Sequence, residues 1–331
     1  MGAPALRVLR EAEVRRLIGP REALAAVREA FARLARGQAT LPGVIGLDIP
    51  EQQGEVHVKG AYLHGSPYYS IKEAAGFYAN AGRGLPVSSG LVLVFDAATG
   101  FPAALLLDNG YLTELRTGAA GALAADLLAR REVETVAMIG SGGQARYQLE
   151  ALLGVRRPRR VLVHGRSRER AAAYAREITD RFGLAVELAA SVRAAVEPAD
   201  LVVTTTPSRE PLVRAEWLRP GAHVTAVGSD GPAKQELHAA VLARADKVVA
   251  DSLAQCLRLG EIHHAVEAGV LRAEDVHAEL GALAAGLAPG RASDDEITVA
   301  DLTGVGVQDA AVADVVTAAA AARGIGDTLA P

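Results

Sequence analysis

Three charged residues of this 331-residue chain stand where acid–base chemistry on a small anionic molecule could be done: Lys72, Arg116 and Asp230. Lys72 ends Tyr68-Tyr-Ser-Ile-Lys72, and strand alternation puts Ser70 and Lys72 on the face opposite Tyr69 and Ile71. His57 and Lys59 likewise share one face of the β-like run 55–63. Such a face is either solvated or lines a pocket. Lysine occurs only at positions 59, 72, 234 and 247 in a chain otherwise rich in arginine. A lysine within an apolar strand is therefore notable, because a buried ammonium can titrate or polarise. Arg116 reads as the residue just ahead of a helix opening at Thr117, placed to bind a carboxylate. Asp230 closes Val227-Gly-Ser-Asp230 after a strand, where an acid can move a proton; Gly231-Pro232 behind it also suits a plain turn.

A second group concerns phosphate. In Val136-Ala-Met-Ile-Gly-Ser-Gly-Gly-Gln-Ala145 a β-prone run meets glycines and then a helix-compatible stretch. Gly140 allows a tight turn and Gly142 lets backbone N–H groups approach a pyrophosphate. Gly143 and Gln144 open the helix, and Ala145 is small enough for helix–strand packing. A ribose-binding acid is expected about 20 residues further on, but Arg160-Val-Leu-Val-His164 leads into Gly165-Arg166-Ser167-Arg168. Arg166, Ser167 and Arg168 favour a 2′-phosphate, hence NADP(H), with NAD(H) possible. The loops holding Thr205 and Thr206, and Val227 and Ser229, follow strands and should face the cofactor; Thr117 is placed with them. Adjacent His263-His264 would point about 100° apart on a helix, and no cysteine or acidic cluster completes a ligand set, so no metal is expected. Ser88, Ser89 and Ser141 lack a G-x-S-x-G setting, which argues against a serine hydrolase.

These groups need elements to hold them. Pro20–Leu34 reads as an amphipathic helix, with Leu24, Val27, Phe31 and Leu34 on one stripe. From Gly43 to about Leu115, short β-like runs separated by turns suggest an antiparallel sheet. From Thr117 a small-residue helix begins, and strands at 133–139, 160–164, 185–188, 200–206, 222–227 and 246–250 alternate with helices. That rhythm predicts a doubly wound parallel sheet. A final helix, Asp309–Ala322, could fold back on the first domain. The expected fold class is α/β: a Rossmann domain over 119–302 and a split α+β domain from 1–118 and 303–331. Net charge is -4 with no basic face, which argues against nucleic acid. Cys256 is the single cysteine and no charge-free run reaches bilayer length, so no membrane and a cytoplasmic location are expected.

The chain resembles the ornithine cyclodeaminase/mu-crystallin family. The resemblance rests on Ile71-Lys72, Gly84-Leu-Pro86, Leu93–Gly100, Tyr111–Thr117, Gly140–Ala145, Val227–Asp230 with Lys234–Leu237, and Asp301–Asp309, all in the family's order. It implies a Rossmann domain, and a substrate domain whose sheet pairs in a homodimer. It implies Lys72 and Arg116 at the substrate carboxylate and Asp230 as acid/base at the nitrogen of a small amino or imino acid. An imine reductase or amino-acid dehydrogenase is the favoured member type. Alternatives are an ornithine cyclodeaminase and a non-enzymatic, NADPH-dependent crystallin-like binder. Two departures count against ornithine: Leu41-Pro-Gly-Val-Ile45 lacks the family's Pro-x-Arg, and Val87 stands where cyclodeaminases carry threonine.

Overall fold

The computed structural model describes residues 4–330. Seven strands come first: β1 (Leu6–Arg10), β2 (Ala39–Thr40), β3 (Ile45–Ile49), β4 (Gly54–Leu63), β5 (Tyr68–Phe77), β6 (Ser88–Asp96) and β7 (Pro102–Leu107). After the helix Tyr111–Leu128 come β8 (Thr135–Ile139), β9 (Arg160–His164), β10 (Ala185–Leu188), β11 (Leu201–Thr204) and β12 (His223–Ala226). Then follow β13 (Lys247–Ala250), β14 (Ala278–Glu279) and β15 (Thr298–Asp301); β16 (Asp327–Leu329) succeeds the helix Gly306–Arg323. Two units result: one runs through Arg116 and resumes at Val305, the other is Thr117–Gly304.

The first unit holds one sheet, ordered β16-β1-β7-β6-β5-β4-β2 with β3 also on β4. Its middle is antiparallel, with short connections from β4 to β5 and from β6 to β7 and a longer one, 78–87, from β5 to β6. The antiparallel pattern expected from Gly43 to about Leu115 is present, and outside that span β1 runs parallel to β7. The long intervening chain frees that pair from hairpin geometry. Register sets Lys59 directly opposite Lys72, and Ala61 opposite Ser70. With Val92, Val94, Ala104 and Leu106 they share a buried face covered by the helices Pro20–Ala35 and Gly306–Arg323. The last helix thus packs on this sheet, as expected. On the other face Ile45 and Leu47 remain 65% and 58% exposed.

The second unit is a wholly parallel sheet, ordered β10-β9-β8-β11-β12-β15-β13-β14. β8 and β11 are buried throughout, as a sheet covered on both faces requires. The winding reverses between β8 and β11, the place where such sheets bind ligands. The sequence reading missed β14, two residues long and too short for a periodic signal, and β15.

One boundary needs correction. The helix expected to open at Thr117 opens at Tyr111. Asn109 and Gly110 turn the chain at φ 53° and 83°, and the Leu112 N–H donates to Asp108 Oδ2 at 2.7 Å. Arg116 and Thr117 therefore lie within the helix. The shift to small residues that suggested Thr117 marks packing instead: a Cβ at Gly118 would stand 2.5 Å from the Tyr147 carbonyl oxygen. Among the described residues, no helix is long and apolar enough to cross a membrane.

Candidate active site

Two lysines directly opposite each other on a buried sheet face repel, so something must offset them. The helix Gly306–Arg323 supplies it, because its first turn carries Gln308 and Asp309. Lys72 Nζ lies 3.5 Å from Asp309 Oδ2. Arg116 Nε donates to Asp309 Oδ1 at 3.0 Å, and Arg116 Nη1 donates to Gln308 Oε1 at 2.6 Å. Lys59, Lys72, Arg116, Gln308 and Asp309 are all buried. Burial lowers the Lys72 ammonium to about 8; Arg116 and Lys59 push the same way and Asp309 opposes. Burial pushes the Asp309 carboxyl up, but the three cations outweigh it and hold it below its ordinary value. Asp108 stands further off, spent on the helix start, with burial raising it to about 6. Three cations thus surround one carboxylate, under the positive end of a helix. Gln308 Nε2, buried, makes no hydrogen bond among the described residues. A buried cation excess with an open amide donor fits a carboxylate.

In the second unit, the glycine turn after β8 meets the loop after β11. Gly140 has φ 117°, a conformation that favours glycine, and a Cβ there would stand 2.5 Å from Thr205 Oγ1. A Cβ at Gly142 would meet nothing within 4 Å, leaving the space a pyrophosphate needs. Gly142 caps the helix Gly143–Leu152, and Arg146 Nη1 donates to the Ser141 and Gly142 carbonyls at 3.1 and 2.9 Å. Ala145 is fully buried. Gln148 Nε2 donates to Gln144 Oε1 and to the Thr117 carbonyl, which ties Thr117 to this helix. The turn, the open space above it and the helix end fit a dinucleotide. Arg166 and Arg168 are exposed, while Ser167 caps the next helix, accepting from Arg170 N at 3.2 Å.

Asp230 lies four residues past the end of β12, and Lys234 Nζ donates to its Oδ1 at 2.7 Å. Ser229 Oγ donates to the Lys234 carbonyl, closing the same turn. Val227 N bonds the Thr204 carbonyl at 3.1 Å. His263 and His264 are loop holders: His263 Nε2 meets the Pro232 carbonyl at 3.1 Å and His264 Nε2 the Lys234 carbonyl at 2.9 Å. Glu267 approaches the same pair closely, an acid the sequence reading did not weigh. Glu236, which that reading quoted only within a motif, is fully buried and accepts from Thr204, Thr206 and Gly228. Lys72 and Arg116 are thus brought together on Asp309, and Gly140 is brought to Thr205. Asp309 and Gln308 were missed as site residues. Their signals were an acid and an amide in the first turn of a largely apolar helix, and a place at the end of the Asp301–Asp309 stretch.

Residues 5–324 match the model of the Ornithine cyclodeaminase/mu-crystallin family. The chain belongs to that family. It is 40% identical to an archaeal alanine dehydrogenase dimer with bound NAD, covering 98% of this chain and 99% of that one at a TM-score of 0.92. It is 31% identical to Thermococcus litoralis Delta(1)-pyrroline-2-carboxylate reductase in complex with NADH and L-proline, with 97% and 99% covered and a TM-score of 0.93. A lysine cyclodeaminase that recognises L-lysine, L-ornithine and L-2,4-diaminobutyric acid is 32% identical, with 100% and 96% covered and a TM-score of 0.87.

Proposed function

We propose that this chain is an NAD(P)-dependent oxidoreductase acting at the bond between the α-carbon and nitrogen of a small amino or imino acid, as a ketimine reductase or L-amino-acid dehydrogenase. The observation that carries this reading is the buried cluster of Lys72, Arg116 and Lys59 around Asp309. Arg116 and Lys72 hold the α-carboxylate. Gln308 Nε2 donates to the same ligand. Burial of these groups excludes water and strengthens each contact. Asp230, steadied by Lys234, accepts or returns the proton on the substrate nitrogen. A bound nicotinamide supplies the hydride acceptor or donor. Gly140, Gly142, Gly143, Gln144 and Ala145 receive its pyrophosphate, with Thr117, Thr205, Thr206, Val227 and Ser229 around the remainder. Similarity to proteins that carry NAD or NADH supports the dinucleotide class. Arg166 and Arg168, free in position to meet a phosphate, favour NADP(H) within it. Calorimetry with NADPH and NADH tests that preference, and equal affinities would remove it.

Cyclodeamination is the second reading, favoured by the similarity to a lysine cyclodeaminase. Val87 and the missing arginine in 41–45 weigh against ornithine. Incubation with ornithine, and with α-keto acids plus amines, separates the two when NAD(P)H absorbance and proline are followed together. Proline formed without net NAD(P)H change would establish cyclodeamination. A crystallin-like binder has no use for an acid/base, so Asp230→Asn should leave dinucleotide affinity nearly intact while turnover is lost. The exposed apolar face at Ile45, Leu47, Ile71 and Leu107 supports a homodimer. A stable monomer in light scattering would remove that claim.

A further inference from the structure

The loops after β11 and β12 leave the sheet beside its switch point, and one side chain ties them together. Glu236 Oε1 accepts from the Thr206 backbone N–H at 2.5 Å and the Thr206 hydroxyl at 2.7 Å. Oε2 accepts from the Gly228 backbone N–H at 2.8 Å and the Thr204 hydroxyl at 2.7 Å. The two loops also touch as backbone, with Gly228 against Thr206 so closely that no Cβ fits. Glu236 is itself fixed: Glu261 Oε1 and Oε2 accept from the Glu236 and Leu237 backbone N–H groups at 2.7 and 3.0 Å. Asp301 Oδ2 in turn accepts from the Glu261 and Ile262 N–H groups at 2.8 and 2.9 Å. Glu236, Glu261 and Asp301 are 0–1% exposed.

We infer that Glu236 is a positioning residue for the dinucleotide: its carboxylate sets the spacing of the Thr204–Thr206 and Val227–Asp230 loops that receive the cofactor. Each oxygen takes one backbone N–H, and a backbone N–H cannot turn to accept. Glutamine cannot replace it, because either amide orientation would aim an NH2 at the N–H of Thr206 or of Gly228. A mere core filler would tolerate that near-isosteric exchange as a loss of stability alone. Here the exchange must move the two loops apart, and their spacing is what the ligand reads. Thr204 and Thr206 are donors to the same group, so their hydroxyls serve the same purpose with smaller weight. The inference rests on the reading that these loops face NAD(P)(H).

The test is the dissociation constant of NADPH and NADH, by calorimetry, for wild type, Glu236→Gln, Thr204→Val and Thr206→Val. Ile178→Val, a fully buried site elsewhere in the same unit, controls for stability loss alone. Expected are an affinity loss of about tenfold or more in Glu236→Gln and about two- to fivefold in each threonine variant. Ile178→Val should lower the melting temperature with affinity unchanged. In turnover, KM for the dinucleotide should rise more than kcat falls. If Glu236→Gln does not fold, the threonine variants decide. Unchanged affinity in both threonine variants, or in a folded Glu236→Gln, would overturn the inference. Wild type that binds neither dinucleotide would overturn the cofactor reading itself, and this inference with it.

Discussion

Two of the molecule's buried charge clusters are neutralised in opposite ways. In the first unit, three cations meet a single carboxylate, Asp309. In the second, the carboxylates Glu236, Glu261 and Asp301 take their hydrogen bonds from backbone N–H groups and threonine hydroxyls. Burial raises Glu236 to about 7 and Asp301 to about 8. Backbone donors are partial charges fixed in direction. They hold loops at defined spacings. Side-chain cations in excess leave net charge, which a free anion can meet. The contrast separates a scaffold from a binding site even though both are equally dry.

The largest effect should come from the one carboxylate that the cations share. Asp309→Asn leaves Lys59, Lys72 and Arg116 buried without their counter-charge and should cost about 3–5 kcal/mol. Denaturant unfolding measures it, and added acetate or oxalate should restore more stability to the variant than to wild type. A loss below about 1 kcal/mol would mean that the cations are solvated and the contrast is false.

How far this contrast was legible in the sequence depends on which residues carried it. Lys72 and Arg116 stood out because a lysine in an apolar strand and an arginine beside a helix are locally unusual. The parallel sheet was readable from alternating strand and helix runs, and the Gly140–Ala145 turn from glycine spacing between a β-prone run and a helix-compatible stretch. Asp309 was not legible as a partner, since it lies 193 positions from Arg116 and only the packing of the last helix on β4 and β5 joins them. Glu236 gave no local signal either: its four donors come from two loops, 8 to 32 positions away. The helix start at Tyr111 was missed because its first turn is held by Asp108, which directly follows the last residue of β7.

Lys72 should give the next largest effect, through pH. Its pKa falls from the ordinary 10.5 to about 8 on burial. Between those values the unfolded chain binds a proton that the folded chain does not, so this group's contribution to stability rises with pH there. Carboxylate affinity has the opposite slope, since the ligand needs the ammonium. Affinity for a carboxylate inhibitor should be flat below about pH 8 and fall about tenfold per unit above it. Lys72→Met should flatten both slopes. An affinity that rises above pH 8 would contradict the assignment.

On the scaffold side, Glu261→Gln should cost about 2 kcal/mol, because the amide NH2 must face the backbone N–H of Glu236 or Leu237. Its unfolding free energy should not respond to added carboxylate. A response like that of Asp309→Asn would erase the difference between the two regions.

The smallest expected effect concerns Lys59, and it sharpens what the site accepts. Lys59 faces Lys72 across the strands and adds to the positive field at Asp309. A substrate side chain carrying a second ammonium would meet that field, whereas an uncharged or acidic side chain would not. At an effective dielectric near 20, one unit charge at a separation of about 8–16 Å is worth about 1–2 kcal/mol. Lys59→Met should therefore raise kcat/KM for ornithine relative to alanine by about tenfold, with each measured at saturating dinucleotide. Lys59→Glu should raise the ratio further, and added salt should leave the shift largely intact because the group is buried. An unchanged ratio in both variants would place Lys59 outside substrate recognition, leaving Lys72 and Arg116 to act on the carboxylate alone.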